Sequence, residues 1–332
     1  MTPLGVFPHF QEGSPTATSR MTVPYHILDV FTSTPFLGNP LAVVTIPPNT
    51  PLTTAQKQRI AKEFNLSETV FVHATEDSDP TPERHFDIFT PRAELPFAGH
   101  PTIGTAVHLH SQGVTTLIAK AGRIEIEQTP SGALRAAIPH NVRLHHEHLP
   151  LPVSNPTADA LQQEIAEAEN GAPLFSIVNG MAFALVELPS LEHLNAVRVG
   201  AAPELPIELL DEGWRDGWAT RRYYYVVLGA EEVDGSKATY RLRTRMLKVT
   251  PAMEDPATGS AACALTSYLS LHQSAAQTLI FEITQGVEMG RESKILIDTR
   301  VGQEADGARR LETVHLGGTA VEVASGRIAI PT

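Results

Sequence analysis

Three shortages in the sequence each exclude a class of protein. Cys263 is the only cysteine, which excludes an internal disulfide framework and a multi-cysteine metal site. No run of 18 apolar residues occurs, so we expect no membrane-spanning helix. Basic residues number 25 against 37 acidic ones, a net charge of −12, which argues against nucleic acid or an anionic membrane as a main partner. A small anionic substrate stays open, because a local pocket can oppose the global charge.

What is present is typical of an ordinary globular protein. The 332 residues are 42% hydrophobic and 19% charged, enough for two domains with their own cores. Residues 1–22 lack both the apolar core of a signal peptide and the basic residues of a transit peptide, so we expect a flexible extension and a cytoplasmic protein.

One short motif occurs twice in the sequence. The stretch ELPFAGHPTIGTA (residues 94–106) and the stretch MEDPATGSAA (residues 253–262) share the pattern [His/Asp]-Pro-x-x-Gly-[Thr/Ser]-Ala. Laying the two prolines over each other gives an offset of 155 residues and makes His100 the counterpart of Asp255. The repeat predicts two similar halves.

Each copy of the motif is predicted to open a helix, Ile103 to about His110 in the first half and about Ser260 to Leu271 in the second. Neither helix contains an acidic residue, a lysine or an arginine, and a helix that is apolar all round is buried. In the rest of each half, the pattern of apolar residues and turn signals indicates several strands. We therefore predict an α+β fold of two pseudo-symmetric lobes, each a curved mixed sheet wrapped around one central apolar helix.

The lobes are predicted to divide in a polar, proline-bearing linker that begins near His140. We assign residues 23–145 to the N-terminal lobe and residues 146–319 to the C-terminal lobe. A further helix is predicted from Pro206 to Trp214.

The two loops suggest an anion site. A helix N-terminus presents unpaired amides and a partial positive charge, so two such ends facing each other would hold a small carboxylate. His100 and Asp255 add one ionisable group each. The alternative is a pair of capped core helices without a ligand, with Asp255 serving as a cap.

Other candidates are single residues. Glu68, in FNLSETVFV, lies between a helix end and a strand with apolar neighbours, where desolvation would raise its pKa as a proton shuttle requires; the alternative is a turn with Glu68 in water. Asn39 suits a tight turn unless it lines the cleft. Arg291 is available for a carboxylate or is merely solvated.

Two tempting signals are discounted. The run HHEH at residues 145–148 lacks the helical spacing of a metal pair and is predicted to be a solvated face. Cys263 lies inside the second helix, where a buried structural thiol is expected.

The glycines fit neither a phosphate loop nor a dinucleotide fingerprint, so we expect neither a metal nor a cofactor.

Five segments together resemble the phenazine biosynthesis PhzF-like family: DVFTSTPFLGNPLAVV, IAKEFNLSETVFV, FTPRAELPFAGHPTIGTA, EDPATGSAACAL and QGVEMGRES. They run in order over nearly the whole chain. The resemblance implies a diaminopimelate-epimerase-like fold with the active site between two lobes. It also implies that residues 320–332 return to complete the N-terminal lobe.

The resemblance further implies a cofactor-free isomerisation of a dihydro-hydroxyanthranilate, in which Glu68 removes a proton and returns it elsewhere on the same face. His100 and Asp255 would position the substrate, and the amides around Gly99, Gly259 and Ser260 would hold its carboxylate. The epimerases of this fold use one cysteine at each helix N-terminus; this sequence has none there, which excludes a two-thiol mechanism.

Two departures from the family pattern bear on the substrate. The segment before the second loop reads RMLKVTPAMEDP, and Ala262 stands where a larger residue is expected, so the substrate need not be a phenazine precursor. The alternatives to an isomerase are a lyase or hydratase acting on a β-hydroxy acid, and a non-catalytic carboxylate-binding protein. The assembly we consider is a homodimer.

Overall fold

The computed structural model describes residues 21–76, 81–150, 159–200, 204–216, 221–233, 235–248 and 252–332. The first half contains, in chain order, β1 (Thr22–Val30), β2 (Asn39–Ile46), α1 (Thr54–Phe64), β3 (Thr69–His73), β4 (Glu83–Phe89), β5 (Glu94–Leu95), α2 (Gly99–His110), β6 (Thr116–Ala119), β7 (Gly122–Gln128) and β8 (Leu134–Ala137).

The second half is built from a similar series of elements. In chain order they are β9 (Arg143–His148), α3 (Ala160–Glu169), β10 (Pro173–Val178), β11 (Met181–Glu187), α4 (Leu191–Ala196), a 3-10 turn (Ile207–Leu209), β12 (Arg221–Val233), β13 (Lys237–Lys248), β14 (Met253–Asp255), α5 (Gly259–His272), β15 (Thr278–Gln285), β16 (Ser293–Gln303), β17 (Arg309–Gly318) and β18 (Ala320–Ala329).

Strand pairing repeats between the halves. The pairs β1–β2, β3–β4, β6–β7 and β7–β8 are antiparallel, while β2–β3 and β4–β6 are parallel. The second half repeats this order: β10–β11, β12–β13, β15–β16 and β16–β17 are antiparallel, and β11–β12 and β13–β15 are parallel. Because β8 also pairs with β17, the two sheets are joined.

Each half has one further strand at its edge, and the strand of the first half comes from the C-terminal end of the chain. The C-terminal strand β18 pairs with β1 along its whole length, and β9 pairs with β10. The linker predicted near His140 therefore contains a strand, and the division predicted at residue 145 falls within it. Our assignment of residues to lobes remains a proposal.

Helices α2 and α5 occupy the centre of one continuous hydrophobic cluster, in which Ile103 and Leu265 are fully buried. Both helices begin at a glycine, Gly99 and Gly259, so the structural repeat has an offset of 160 residues and not the 155 obtained by aligning the prolines. The predicted equivalence of His100 with Asp255 is therefore wrong: His100 corresponds to Ser260.

The predicted start of α2 was late because a proline usually marks a helix boundary. Here Pro101 is the third residue of the helix, where its missing N–H removes a donor that has no intrahelical partner in any case. The helix predicted from Pro206 is wrong, since only the 3-10 turn forms and Leu210 after it is extended.

The helix α1 shows how local signals place the segment before Glu68. Thr53 accepts a hydrogen bond from the Gln56 amide while the Gln56 side chain accepts one from the Thr53 amide, a capping box that fixes the helix start. Asn65 ends the helix in the left-handed conformation at φ 51°, which turns the chain into the strand that follows. No helix within the described ranges has the length and apolarity needed to cross a membrane.

Candidate active site

The N-terminal ends of α2 and α5 are in direct contact through their backbones. A Cβ added to Gly99 would lie 3.1 Å from Gly259 Cα and 2.8 Å from Leu316 Cδ2, and one added to Gly259 would lie 3.3 Å from Gly99 Cα. Only glycine allows this approach at both positions. The first amides of both helices are consequently brought to one place, with two partial positive charges side by side.

Asp255 is held by residues from both halves. Its Oδ1 accepts a hydrogen bond from Asn39 Nδ2 at 3.0 Å, and its Oδ2 accepts one from Thr258 Oγ1 at 2.8 Å. Asn39 also donates to the Ala257 carbonyl at 2.9 Å and is buried. Asn39 therefore lies beside Asp255, and its part in the cleft remains a proposal.

A buried glutamine, Gln285, supports this arrangement, although the sequence did not single it out. Its Nε2 donates to the Asp255 carbonyl at 2.8 Å, while its Oε1 accepts from the Thr258 amide at 3.2 Å and from Tyr223 Oη at 3.0 Å. These bonds fix the turn between β14 and α5. Nothing in the local pattern around Gln285 indicates this role, because its partners lie on other elements.

Glu68 and His100 form the second polar pair. His100 Nδ1 lies 3.3 Å from Glu68 Oε2, and the two side chains are 6% and 17% exposed. Burial raises the pKa of Glu68, while the Ser67 hydroxyl and the positive charges of Lys248 and Arg221 act in the opposite direction. Burial lowers the pKa of His100 to about 4 against the attraction of Asp255 and the Pro40 carbonyl, so the imidazole is neutral near pH 7.

The pair is therefore a contact between a neutral imidazole and a carboxyl group that retains its proton more readily than a free glutamate. Burial also raises the pKa of Asp255, and the nearby negative charge of Glu68 adds to this effect, while Lys248 opposes it. His100 Nε2 is buried and makes no hydrogen bond within the described structure. The three groups thus share a desolvated site in which burial disfavours the charged form of each.

Two cations near this cluster were missed by the sequence argument. The positive charges of Arg221 and Lys248 both act on Glu68, and Lys248 also acts on Asp255 and His100. Arg221 opens β12 and Lys248 ends β13. The only available signal was their position at strand ends, which does not say which way the side chains point.

A cavity of about 370 Å³ lies against the helix ends. Gly99, Gly259 and Ser260 form part of its wall, together with Cys263. The described lining is otherwise mainly apolar: Leu95, Pro96, Phe97, Ala121, Ile138, Pro139, Ile177, Val178, Asn179, Gly180, Met181, Asp216 and Leu316. The seven predicted site residues thus divide into two groups, three on this wall and four in the polar cluster of Glu68, Asn39, His100 and Asp255.

The remaining sequence candidates have structural roles. Arg291 donates to Asp29 Oδ1 at 2.6 Å and to the Gly38 carbonyl at 2.9 Å, so it holds the turn before Asn39. His145, in the HHEH run, is buried against Ser176 Oγ at 2.8 Å, which corrects the prediction of a fully solvated face. Cys263 is buried, and burial raises its pKa, so it stays a neutral thiol.

Metal ligation has no support in the part of the chain that the structure describes. No three His, Cys, Asp or Glu side chains there are grouped as metal ligands. What the site offers is a carboxyl group with a raised pKa, a neutral imidazole, a second held carboxyl group and two helix N-termini. These are the parts that a proton transfer on a bound anion requires.

Comparisons with known proteins show which proteins this chain is similar to. A family model described as phenazine biosynthesis-like protein matches residues 28–326. A trans-2,3-dihydro-3-hydroxyanthranilate isomerase from Pseudomonas fluorescens is 32% identical over 92% of this chain and 99% of its own length. An uncharacterized isomerase from Mesorhizobium japonicum is 31% identical over 92% of this chain and 98% of its own length.

Solved structures share the fold. A PhzF-family phenazine biosynthesis protein from Bacillus anthracis matches with a TM-score of 0.66 at 20% identity, over 93% of this chain and all of its own. A probable proline racemase from Agrobacterium radiobacter matches with a TM-score of 0.57 at 14% identity, over 93% of this chain and 94% of its own. The predicted α+β fold of two similar halves is confirmed.

Proposed function

The chain belongs to the phenazine biosynthesis-like protein family and is an isomerase, and we propose that Glu68 is the single acid and base of its reaction. The observation that carries the proposal is the position of this carboxyl group: it is largely buried, 3.3 Å from a neutral imidazole, and its pKa is raised. A carboxylate with a raised pKa is a stronger base than a free carboxylate. It therefore removes a proton from a weakly acidic carbon more readily near neutral pH.

The proposed step moves one proton and one double bond. The Glu68 carboxylate removes a proton from a carbon acidified by a neighbouring unsaturated carboxylate system, and the electron pair left behind shifts to form the new double bond. The protonated Glu68 then returns the proton to a second carbon on the same face of the ligand. Atoms and electrons balance within the substrate, so the step needs no cofactor.

The other site residues orient the ligand. We propose that the amides of Gly99, Gly259 and Ser260 bind a substrate carboxylate, since they belong to the two helix N-termini that meet at the cavity. His100 and Asp255 would then contact its hydroxyl or amino group. Asn39 acts through Asp255, to which it donates a hydrogen bond at 3.0 Å, and is a positioning residue.

The names of the relatives suggest the class of substrate. We propose a small amino- or hydroxy-carboxylate that resembles a dihydro-hydroxyanthranilate, because relatives about 30% identical carry the name of that isomerase. A cytoplasmic location, a homodimeric assembly and the two lobes of residues 23–145, completed by 320–332, and 146–319 also remain proposals.

The test is proton exchange with solvent. The full chain is incubated in heavy water with a pool of small amino- and hydroxy-carboxylates, and deuterium uptake is read by mass spectrometry. Glu68→Gln removes the base with almost no change in shape, so we expect uptake to fall to the uncatalysed rate. Glu63→Gln, an exposed glutamate on α1, is the matched control and should leave uptake unchanged.

The outcomes separate the alternatives. Undiminished deuterium uptake in Glu68→Gln would rule out Glu68 as the acid and base. A product lighter by the mass of water would identify a lyase. Ligand binding in the unaltered protein with neither deuterium uptake nor conversion to an isomer, followed by chromatography, would identify a non-catalytic carboxylate-binding protein.

A further inference from the structure

The cavity against the helix ends is larger than a single ring requires. Its volume is about 370 Å³, within the range of roughly 300–1,000 Å³ that small-molecule sites occupy. An apolar protein cavity of about 150 Å³ already holds one benzene molecule. The space beside Gly99 and Gly259 therefore accommodates a ligand body of about two rings.

The interior of this cavity is apolar. Ile138, Ile177 and Leu316 line it and are buried, and Leu95 and Met181 add half-buried apolar side chains. Aliphatic side chains and a thioether offer a hydroxyl or amino group no strong hydrogen-bond partner. A polar substituent placed among them gives up its bonds to water without replacement, which costs about tenfold or more in affinity.

Cys263 extends the apolar wall up to the helix end. It lies one turn after Gly259 on α5, and helical side chains lean towards the N-terminus of their helix. Its thiol therefore lies over the turn that carries the amides of Gly259 and Ser260. Burial raises the pKa of this thiol, so it is neutral and behaves as a small apolar group. The place proposed for the carboxylate and the apolar space thus adjoin each other.

Apart from the helix ends, the polar groups of the described lining lie at the rim. Asn179 and Asp216 are both exposed, and Asn179 Nδ2 donates to Asp216 Oδ2 at 2.9 Å and to the Gly213 carbonyl at 3.0 Å. Asp216 is the one charged side chain among the described lining residues. Because a carboxylate repels a second anion, this rim favours a ligand whose far end is uncharged.

We propose that the substrate carries a neutral apolar group of about two rings in size, which fills this cavity while its carboxylate binds at the helix N-termini. This inference rests on the proposed function and narrows its substrate class to amino- or hydroxy-carboxylates with an apolar body. The carbons next to the carboxylate lie beside His100, the residue after Gly99 on α2, and so face the polar cluster. The amino or hydroxyl group is confined to those carbons.

The experiment measures how affinity depends on the size of the apolar body. Benzoate, naphthoate and para-phenylbenzoate are titrated into the full chain by calorimetry. Each added ring buries further apolar surface, so we expect para-phenylbenzoate to bind roughly tenfold or more tightly than benzoate.

Two analogues of para-phenylbenzoate test the two ends of the ligand. The para,para′-dicarboxylate of biphenyl brings a charge to the apolar end, and the primary amide of para-phenylbenzoate has no anion for the helix ends. Both should bind at least about tenfold more weakly than para-phenylbenzoate. Equal affinity of either analogue would contradict the proposed orientation.

Variants of the cavity wall test where the added ring lies. Met181→Gln and Leu95→Gln each put an amide in place of a half-buried apolar side chain, so they should weaken para-phenylbenzoate roughly fivefold or more and benzoate less. Met181→Leu keeps the apolar character and should retain the preference. Met21→Gln makes the matched exchange at a methionine that is 70% exposed and outside the described lining, so it should change neither affinity. Thermal melting shows whether each variant is folded.

The proposal fails if para-phenylbenzoate binds no better than benzoate. It also fails if Met181→Gln and Leu95→Gln both leave the affinity for para-phenylbenzoate unchanged, since the added ring then lies elsewhere. Glu68→Gln separates this test from that of the proposed function, because it should retain the preference for the larger ligand. Retained preference with undiminished deuterium uptake would overturn the role of Glu68 and leave the role of the cavity standing. Loss of uptake without any preference for size would do the reverse.

Discussion

At the scale of single residues, the site depends on how burial changes proton affinity. Glu68 and Asp255 have raised pKa values and His100 a lowered one, and in each case burial is the largest cause. Burial thus disfavours the charged form of all three groups. The proposed transfer of a proton between Glu68 and a substrate carbon takes place in this desolvated site.

The pH profile should report the raised pKa of Glu68. The carboxylate is the active form, and a raised pKa keeps the group protonated to higher pH than its ordinary value of 4.5. We therefore expect kcat/KM to fall as pH decreases through a midpoint above 4.5. Because Lys248 lowers this pKa, Lys248→Met should move the midpoint to higher pH, measured from initial rates across a buffer series.

The control for this profile is Lys294→Met, whose midpoint should equal that of the unaltered protein. A midpoint in Lys248→Met that stays in place, or moves to lower pH, would contradict the assignment of the acid limb to Glu68. A change in the height of the curve alone reports substrate binding and does not bear on the pKa.

At the scale of elements, the contact between the ends of α2 and α5 determines the site. Leu316 on β17 lies against both glycines, so three elements meet at one point. The helices present their amides to the cavity because neither glycine has a side chain to separate the backbones. This contact also explains why the repeat is centred on the glycines and not on the prolines.

Gly259→Ala should therefore destabilise the protein. A Cβ there would lie 2.8 Å from Leu316 Cδ2 and 3.3 Å from Gly99 Cα, and overpacking of this kind costs about 1–3 kcal/mol. The gain in helix propensity is at most about 1 kcal/mol in a helix interior and smaller at a first residue. Urea denaturation should show a lower free energy of unfolding, and exchange activity should fall as the helix ends separate.

Leu316→Ala tests which contact matters. Combined with Gly259→Ala, it relieves the contact with the Leu316 side chain and leaves the contact between the two backbones. After the cost of Leu316→Ala alone is subtracted, the double variant should therefore recover only part of the free energy of unfolding that Gly259→Ala loses. A Gly259→Ala variant as stable and as active as the unaltered protein would show that the helix ends can part freely.

At the scale of the whole molecule, the two halves are joined by the pairing of β8 with β17 and by the return of β18 to the first half. The chain leaves the first half after β8, builds the second half with β9 at its edge, and returns through β18 to the edge of β1. The β18 strand covers the N–H and C=O groups that β1 would otherwise leave open. Ile328 on this strand also packs against the cluster between α1 and the sheet.

Removal of residues 319–332 should therefore prevent cooperative folding of the first half. The truncated chain loses the pairing of β1 with β18 and exposes a long apolar edge, so we expect aggregation or a shallow, early urea transition followed by circular dichroism. A synthetic peptide of residues 319–332 added in excess should restore the transition. A truncated chain with an unchanged midpoint would show that β18 contributes nothing to the fold.

The sequence by itself determined the fold class and indicated several candidate site residues. The charge-free stretches of α2 and α5 predicted buried helices, because a helix without a polar face has no stable place at a surface. The motif around Glu68 and the two glycine loops, with the family resemblance, indicated an isomerase. These inferences succeed because each depends on periodicity or on residue type over a short window.

Only the tertiary structure decided how these parts meet. Asn39 and Asp255 are 216 positions apart. Arg221 and Lys248 come from two strand ends whose side-chain direction no local pattern encodes. His145 shows the same limit, since only the alternation of β9 turns it inward from a run of polar neighbours. The register of the repeat was likewise decided by packing, because two backbones approach closely only where both residues are glycine.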